Sequence, residues 1–322
     1  MKWPDGCRHE QDICLRRTWL NVKVLRLISQ TFIIYLELNG IKYFVSFREG
    51  VMSVDFAFLD SGVGGIPYMK HLLEIRPRSS WVYVGDTANF PYGEKTEQQI
   101  IENSCNCVKK IIEKWDPSTI VIACNTISVT ALEEMRRRFP STPFVGTVPA
   151  IKPAAMISKT RKIGLLATNA SISHPYTKKL IWDFANDCQV ISRADPDLIS
   201  FIEHNYFNST LDQRLKAVEP AVDFFRKSGC DVIVLACTHF LNMSKDFEIA
   251  AGSSMKVVDS RDGVVNHAID VSCHESAADV NVASKAQGEC GLYVTGFSQR
   301  NDLHSYNDLC RRLDIPFGGL FG

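Results

Sequence analysis

The chain of 322 residues has no excess of either charge: 36 Lys+Arg stand against 36 Asp+Glu. It lacks any run of five like charges, which excludes an acidic or basic tail. Neutrality also argues against a nucleic-acid binder, because phosphate binding needs a basic surplus on at least one face. No apolar stretch approaches the about 20 residues of a membrane span, so no membrane partner is expected. There is no CxxC pair, and no His or Cys stands near Cys105 and Cys107 in a zinc pattern, so no metal is expected. The 11 cysteines are odd in number and the chain is long, which excludes a disulfide scaffold. Free thiols in a reducing cytosol are the better reading. Cys105 and Cys107, on a helical stretch, read as packing residues.

What is present divides in two. Residues 1–51 form an N-terminal extension that reads as a separate problem. Arg16-Arg17 invites a twin-arginine export reading, but Arg26, Gln30 and Glu37 interrupt the apolar stretch and no small-residue cleavage site closes it. Val22–Leu25 and Phe32–Tyr35 have strand character without an obvious partner. The expectation is that Met52 is the natural start and the leader is upstream sequence translated in error.

From residue 53 the pattern is regular. Apolar runs at Val54–Leu59, Trp81–Gly85, Thr119–Ala123, Lys162–Ala167, Cys188–Ser192, Asp231–Ala236, Met255–Val258 and Gly291–Thr295 lack strict alternation, as strands of a parallel sheet do. Helical segments fill the gaps. One starts at Thr96 with Gln99 as a capping box, then places Ile100, Ile101, Cys105, Val108, Ile111, Ile112 and Trp115 on one stripe. The fold class is α/β, doubly wound, with mainly parallel sheets. A weak repeat supports two similar units: Ile120–Thr126 and Val232–His239 each run an apolar strand into Ala-Cys, a polar turn and a helix. The expected division is a first domain of 53–149 plus 261–322 and a second of 150–260. Thr147–Pro153 and the turn-like Asp259–Gly263 are the candidate crossings.

Ligands of open α/β sheets bind beyond the carboxyl ends of the strands, where Cys124 and Cys237 both fall. Each also precedes a helix, whose N-terminus favours a thiolate. Asn125-Thr126 and Thr238-His239 follow them and offer donors suited to a carboxylate. Buried cysteines ending buried strands are the plain alternative, which the twin placement weakens. The glycine-rich loop Asp60–Gly65 is neither a dinucleotide fingerprint nor a phosphate loop, but it allows close approach of the backbone to a small anion.

DSGVGG at 60–65, GDTANFPYGEK at 85–95, ACNT at 123–126 and ACTH at 236–239 together resemble the glutamate racemases of the cofactor-independent aspartate/glutamate racemase superfamily. The resemblance runs from about Val54 to Pro316. It implies two similar α/β domains with the active site between them, and conversion of L- to D-glutamate for peptidoglycan synthesis. It implies Cys124 and Cys237 as an acid/base pair that works with no cofactor. It implies Asp60 beside Cys124, and Glu203 with His239 beside Cys237, as assisting groups. Asp60, Ser61, Tyr92, Gly93, Asn125, Thr126, Thr238 and His239 match its substrate-contacting positions: hydroxyls and backbone N–H groups would hold the carboxylates, and Asp60 could meet the ammonium group. A cytoplasmic enzyme is expected, with a homodimer as one option. The chain departs from the pattern at Phe240-Leu241, where an aromatic-Pro pair is usual, and at Asp195, where a cysteine is common. The alternatives are a racemase of aspartate or another amino acid, a hydrolase using one Cys as nucleophile with His239 as base, and a non-catalytic binding module.

Overall fold

The structure is a computed structural model that describes residues 13–15, 18–27, 31–38, 41–48, 53–276, 289–298 and 302–322. Contacts divide the chain into two units, Met1–Met52 and Ser53–Gly322. In the first, β1 (Ile13–Leu15), β2 (Thr18–Leu27), β3 (Thr31–Leu38) and β4 (Ile41–Arg48) form an antiparallel meander in chain order. Val22–Leu25 and Phe32–Tyr35 find their partners in each other, with Val24 opposite Ile34. Arg16, Arg17 and Met52, on which the export and start-site readings rest, lie outside the described residues.

The second unit alternates strand and helix. Its strands are β5 (Phe56–Asp60), β6 (Trp81–Gly85), β7 (Thr119–Ile122), β8 (Phe144–Gly146), β9 (Lys162–Ala167), β10 (Gln189–Ala194), β11 (Val232–Leu235), β12 (Lys256–Val258), β13 (Cys290–Val294) and β14 (Phe317–Leu320). They make two sheets, a six-stranded one in the order β14-β13-β6-β5-β7-β8 and a four-stranded one in the order β10-β9-β11-β12. All their pairings are parallel. Four consecutive strands thus follow the order second-first-third-fourth in each sheet, and the repeat seen in sequence is a repeat of topology. The order reverses between the first and third strands, which is where doubly wound sheets open a crevice for ligands. Asp60 ends β5 and Cys124 follows β7 at one such point, and Ala167 ends β9 and Cys237 follows β11 at the other.

Sheet membership changes between β8 and β9 and between β12 and β13, the segments read as crossings. The second of these is not the simple turn expected at Asp259–Gly263, because a helix of 16 residues starts at Arg261. The capping box forms as read: Gln99 N–H donates to Thr96 Oγ1 and Thr96 N–H to Gln99 Oε1. Along that helix Ile100, Cys105, Val108, Ile111 and Trp115 are buried, while Ile101 and Ile112 pack at its margin.

One hydrophobic cluster runs through both sheets, from Phe58 and Tyr83 of the first to Leu166, Phe225 and Ile233 of the second. One close approach beside it is Gly164 in β9, where a Cβ would lie 2.5 Å from the Phe225 ring. Phe225 belongs to the helix Leu211–Lys227 and is fully buried, so it has nowhere to move. Gly164→Ala is therefore expected to overpack the core and lower the unfolding free energy by about 1–3 kcal/mol. Urea unfolding checks this; an unchanged midpoint contradicts it.

Candidate active site

The carboxyl ends of β5, β7, β9 and β11 surround a cavity of about 390 Å³. Cys124 and Cys237 both line it, with Ser61, Tyr92, Gly93, Asn125, Thr126, Thr238 and His239. The two thiols are each 5% exposed, and Cys237 adds to the ionisation cost of Cys124. Thr126 Oγ1 lies 3.1 Å from Thr168 Oγ1, which joins the helix after β7 to the turn after β9 across the cavity. Asp60 and Glu203 are not among the lining residues. They stand behind them, buried.

Asp60 closes the loop it begins. Its Oδ2 accepts from Gly65 N–H at 2.8 Å and from the Tyr83 hydroxyl at 3.1 Å. Thr238 Oγ1 reaches its Oδ1 at 3.5 Å from the other half of the site. Burial pushes the Asp60 carboxyl up, and the charge of His239 and the backbone N–H groups of Gly65 and Ser61 pull against it. It faces its own loop and Cys124 rather than the open cavity.

Burial also pushes the Cys124 thiol up, and the Asp60 carboxylate adds to the rise. The Ile127 N–H, in the first turn of the helix Asn125–Arg138, acts in the opposite direction together with Ser61, whose Oγ lies 3.8 Å from the sulfur. The helix N-terminus expected to favour a thiolate is thus outweighed, and Cys124 rests as a neutral thiol.

Cys237 has other company. The helix after it, Thr238–Leu241, is four residues long, too short for much of a dipole. Instead His239 Nδ1 lies 3.8 Å from its sulfur, and His239 Nε2 lies 2.8 Å from Glu203 Oε2. Burial lowers the His239 pKa, but the hydrogen bonds and charges of Cys237 and Glu203 prevail and hold it well above 6.5. The ring is then an imidazolium that donates to both neighbours. Val63 N–H donates to the same Glu203 oxygen at 3.1 Å.

The glycine-rich loop does cradle an anion, and that anion is the protein's own. A Cβ on Gly62 would lie 2.6 Å from both Glu203 oxygens, and one on Gly64 2.5 Å from His239 Nδ1. Tyr92 holds a further surprise. Its hydroxyl donates to Asp86, which also accepts from Asn89 and Thr295. Tyr92 therefore presents its ring to the cavity, and its proton is unavailable to a substrate carboxylate. Asn125 offers the reverse: its Oδ1 is buried without a hydrogen-bond partner among the described residues.

Several lining residues escaped the sequence reading, among them Phe90, Thr168, Asn169, Asp195 and His204. Thr168 and Asn169 follow β9 as Cys124 follows β7, so the strand-end rule applied to every strand would have found them. Asp195, in place of the usual cysteine, caps the helix Pro196–His204 by accepting from Leu198 N–H at 3.1 Å. Phe90 packs on His239 with ring centroids 5.7 Å apart. The described residues hold no group of three or more His, Cys, Asp or Glu arranged for a metal, and Cys105, Cys107, Cys124, Cys188, Cys230, Cys237 and Cys310 are free. None of their helices is long and apolar enough to cross a membrane.

Two parallel sheets with two buried thiols in one cavity at their strand ends define an α/β fold equipped for thiol chemistry. Residues 69–268 match the family described as Asp/Glu/Hydantoin racemase, and the chain belongs to that family. It is 41% identical over 242 residues to the glutamate racemase of Treponema pallidum (strain Nichols), covering 75% of this chain and 87% of that protein. The glutamate racemase of Shewanella halifaxensis is 37% identical over 209 residues, covering 65% and 77%. Among solved structures, Escherichia coli glutamate racemase in complex with L-glutamate and the activator UDP-MurNAc-ala superposes with a TM-score of 0.71 at 28% identity, covering 83% of this chain and 97% of that one.

Two outcomes follow. Gly62→Ala is expected to push the Glu203 carboxylate off Val63 N–H and cost activity about 100-fold, with the fold retained by circular dichroism. Activity within a factor of three of the parent contradicts the cradle. His239 is the pH-sensitive group. Its raised folded-state pKa stabilises the fold fully below about 6.5, the unfolded value, and that share is lost as pH rises through the folded value. His239→Asn should therefore flatten the stability–pH curve above pH 6.5 relative to the parent; parallel curves refute the assignment.

Proposed function

We propose that the chain interconverts L- and D-glutamate by proton transfer between Cys124 and Cys237, without a cofactor. The observation that carries this reading is the presence of both thiols in one cavity, one a neutral acid beside Asp60 and the other against an imidazolium. One thiolate removes the Cα proton from one face, and the opposing thiol delivers its own proton to the other. The enzyme ends with the two sulfurs' states exchanged, which a second turnover in reverse restores. The relatives named above supply the substrate class, and the E. coli structure holds L-glutamate.

The carbanion must be stabilised by preorganised donors in a dry site. Ser61, Thr126, Thr168 and Thr238 offer hydroxyls to the two carboxylates. The unpartnered Asn125 Oδ1 is the acceptor we assign to the ammonium group, in preference to Asp60, which is turned into its own loop. We read the two sheets as the centres of two domains, 53–149 with 261–322 and 150–260. Reduced thiols fit a cytoplasmic setting, where D-glutamate would feed peptidoglycan synthesis.

Incubation with L-glutamate in D₂O tests the reading. Deuterium should enter at Cα and optical rotation should vanish with no cofactor added, whereas a hydrolase or a binding module gives no exchange. Cys124→Ala and Cys237→Ala should each lose about 10²- to 10⁴-fold. Full activity in either variant overturns the two-thiol mechanism. Faster exchange with aspartate than with glutamate overturns the substrate assignment alone.

A further inference from the structure

We infer that Asn242 is a positioning residue: it ties the 60–65 loop to the turn after Cys237 and so keeps His239 aimed at that thiol. The inference rests on the two-thiol reading above. The carboxamide Nδ2 of Asn242 donates to Gly64 O at 3.2 Å and to His239 O at 3.2 Å. One nitrogen with two N–H groups thus joins the carbonyl of His239 to that of Gly64, which is 178 residues from Asn242 in the chain.

Each carbonyl matters for a different reason. His239 O sits in a helix of only four residues and also accepts from Asn242's own backbone N–H at 3.1 Å, so the side chain and main chain of Asn242 converge on it. Gly64 is the residue whose main chain abuts the His239 ring, since a Cβ there would stand 2.5 Å from Nδ1. One residue earlier, Val63 N–H holds Glu203. The loop therefore grips the imidazolium and its carboxylate partner at Val63 and Gly64, and Asn242 fixes the loop at that point. Asn242 is itself half-buried, does not line the cavity and touches neither sulfur. It follows Leu241, so no proline ring stiffens the turn it caps.

The effect should be greater on one face. On the Cys124 face, Gly65 N–H belongs to the same peptide as Gly64 O, but Asp60 ends β5 and keeps the Tyr83 hydroxyl as a second donor. On the Cys237 face, His239 Nδ1 already stands 3.8 Å from the sulfur, and a loosened loop would let it drift. Loss of Asn242 should slow the proton step at Cys237 more than the one at Cys124.

Isotope effects read this directly. Asn242→Leu removes both donors at similar volume, and Asn242→Asp removes them with a smaller change of shape; thermal unfolding confirms that a variant is folded. Each is assayed with L- and D-glutamate carrying hydrogen or deuterium at Cα. Enantiomers have equal free energy, so kcat/KM must fall equally in both directions, by about tenfold. The primary isotope effect should grow for the enantiomer whose Cα hydrogen Cys237 removes and shrink for its mirror image. Cys237→Ser, the extreme impairment of the same face, identifies which enantiomer that is. Equal isotope effects from both enantiomers in the Asn242 variants, beside a skewed pair in Cys237→Ser, overturn the positioning role and leave the two-thiol mechanism standing. No skew in Cys237→Ser overturns that mechanism and the role of Asn242 with it.

Discussion

Glu203 and His239 lie so close to the main chain of the 60–65 loop that neither Gly62 nor Gly64 has space for a Cβ. The contact joins parts of the chain 140 residues apart, at Val63 N–H and the Glu203 carboxylate. Because the loop begins with Asp60 and Ser61, which flank Cys124, it places the neighbours of one thiol and grips the partners of the other. The two halves of the site are thus a single packed object. A side chain at Gly62 would disturb Glu203, hence His239, hence the surroundings of Cys237, without touching either sulfur. Such a loop is tolerated because glycine alone permits the approach, and the helix Ile66–Ile75 anchors its far end.

Concentrating ionisable groups in a dry region is costly unless they satisfy one another. Here they do so in an unequal way. Asp60 is burdened by burial and by the Glu203 charge, and its relief comes from His239 and from N–H donors. His239 is relieved by Glu203 and Cys237. The positive charge therefore sits on the Cys237 side and the added negative charge on the Cys124 side. A neutral thiol is favoured at the second, where burial and the Asp60 charge raise Cys124. The asymmetry comes from three buried side chains rather than from the sulfurs' own strands.

Much of this was legible in the residues, and what was not has physical causes. Strands buried on both faces, such as Trp81–Gly85 and Lys162–Ala167, are legible at their observed limits because every position after the exposed Lys162, and every one in the first, is apolar or small. The edge strand β10 runs on to Ala194, past the expected end at Ser192, because its exposed side admits Arg193. Phe144–Gly146 and Phe317–Leu320 went unread: one is three residues long and the other carries two glycines, which sheet edges accept but periodicity cannot register. In the site, the paired cysteines were visible because a repeat displayed them. The partners of the glycine loop were not, since nothing in DSGVGG says that its anion is a glutamate far along the same chain. The commitment of the Tyr92 hydroxyl to Asp86 was hidden for the same reason: a motif names groups but not which of them are already bonded.

The repeated strand order explains why two thiols meet at all, and its imperfection explains why they differ. Each cysteine follows the third strand of a four-strand unit, at the point where the order reverses, so the same topology delivers both to a crevice. After Cys124 the chain continues into a helix of 14 residues and its first N–H groups reach the sulfur. After Cys237 the helix stops at four, and that source of positive potential is weak. A histidine two residues on, held by a buried glutamate, stands where the longer helix would have acted. The second half of the fold thus replaces a backbone dipole with the side chain of His239, whose pKa burial lowers and its partners Cys237 and Glu203 raise.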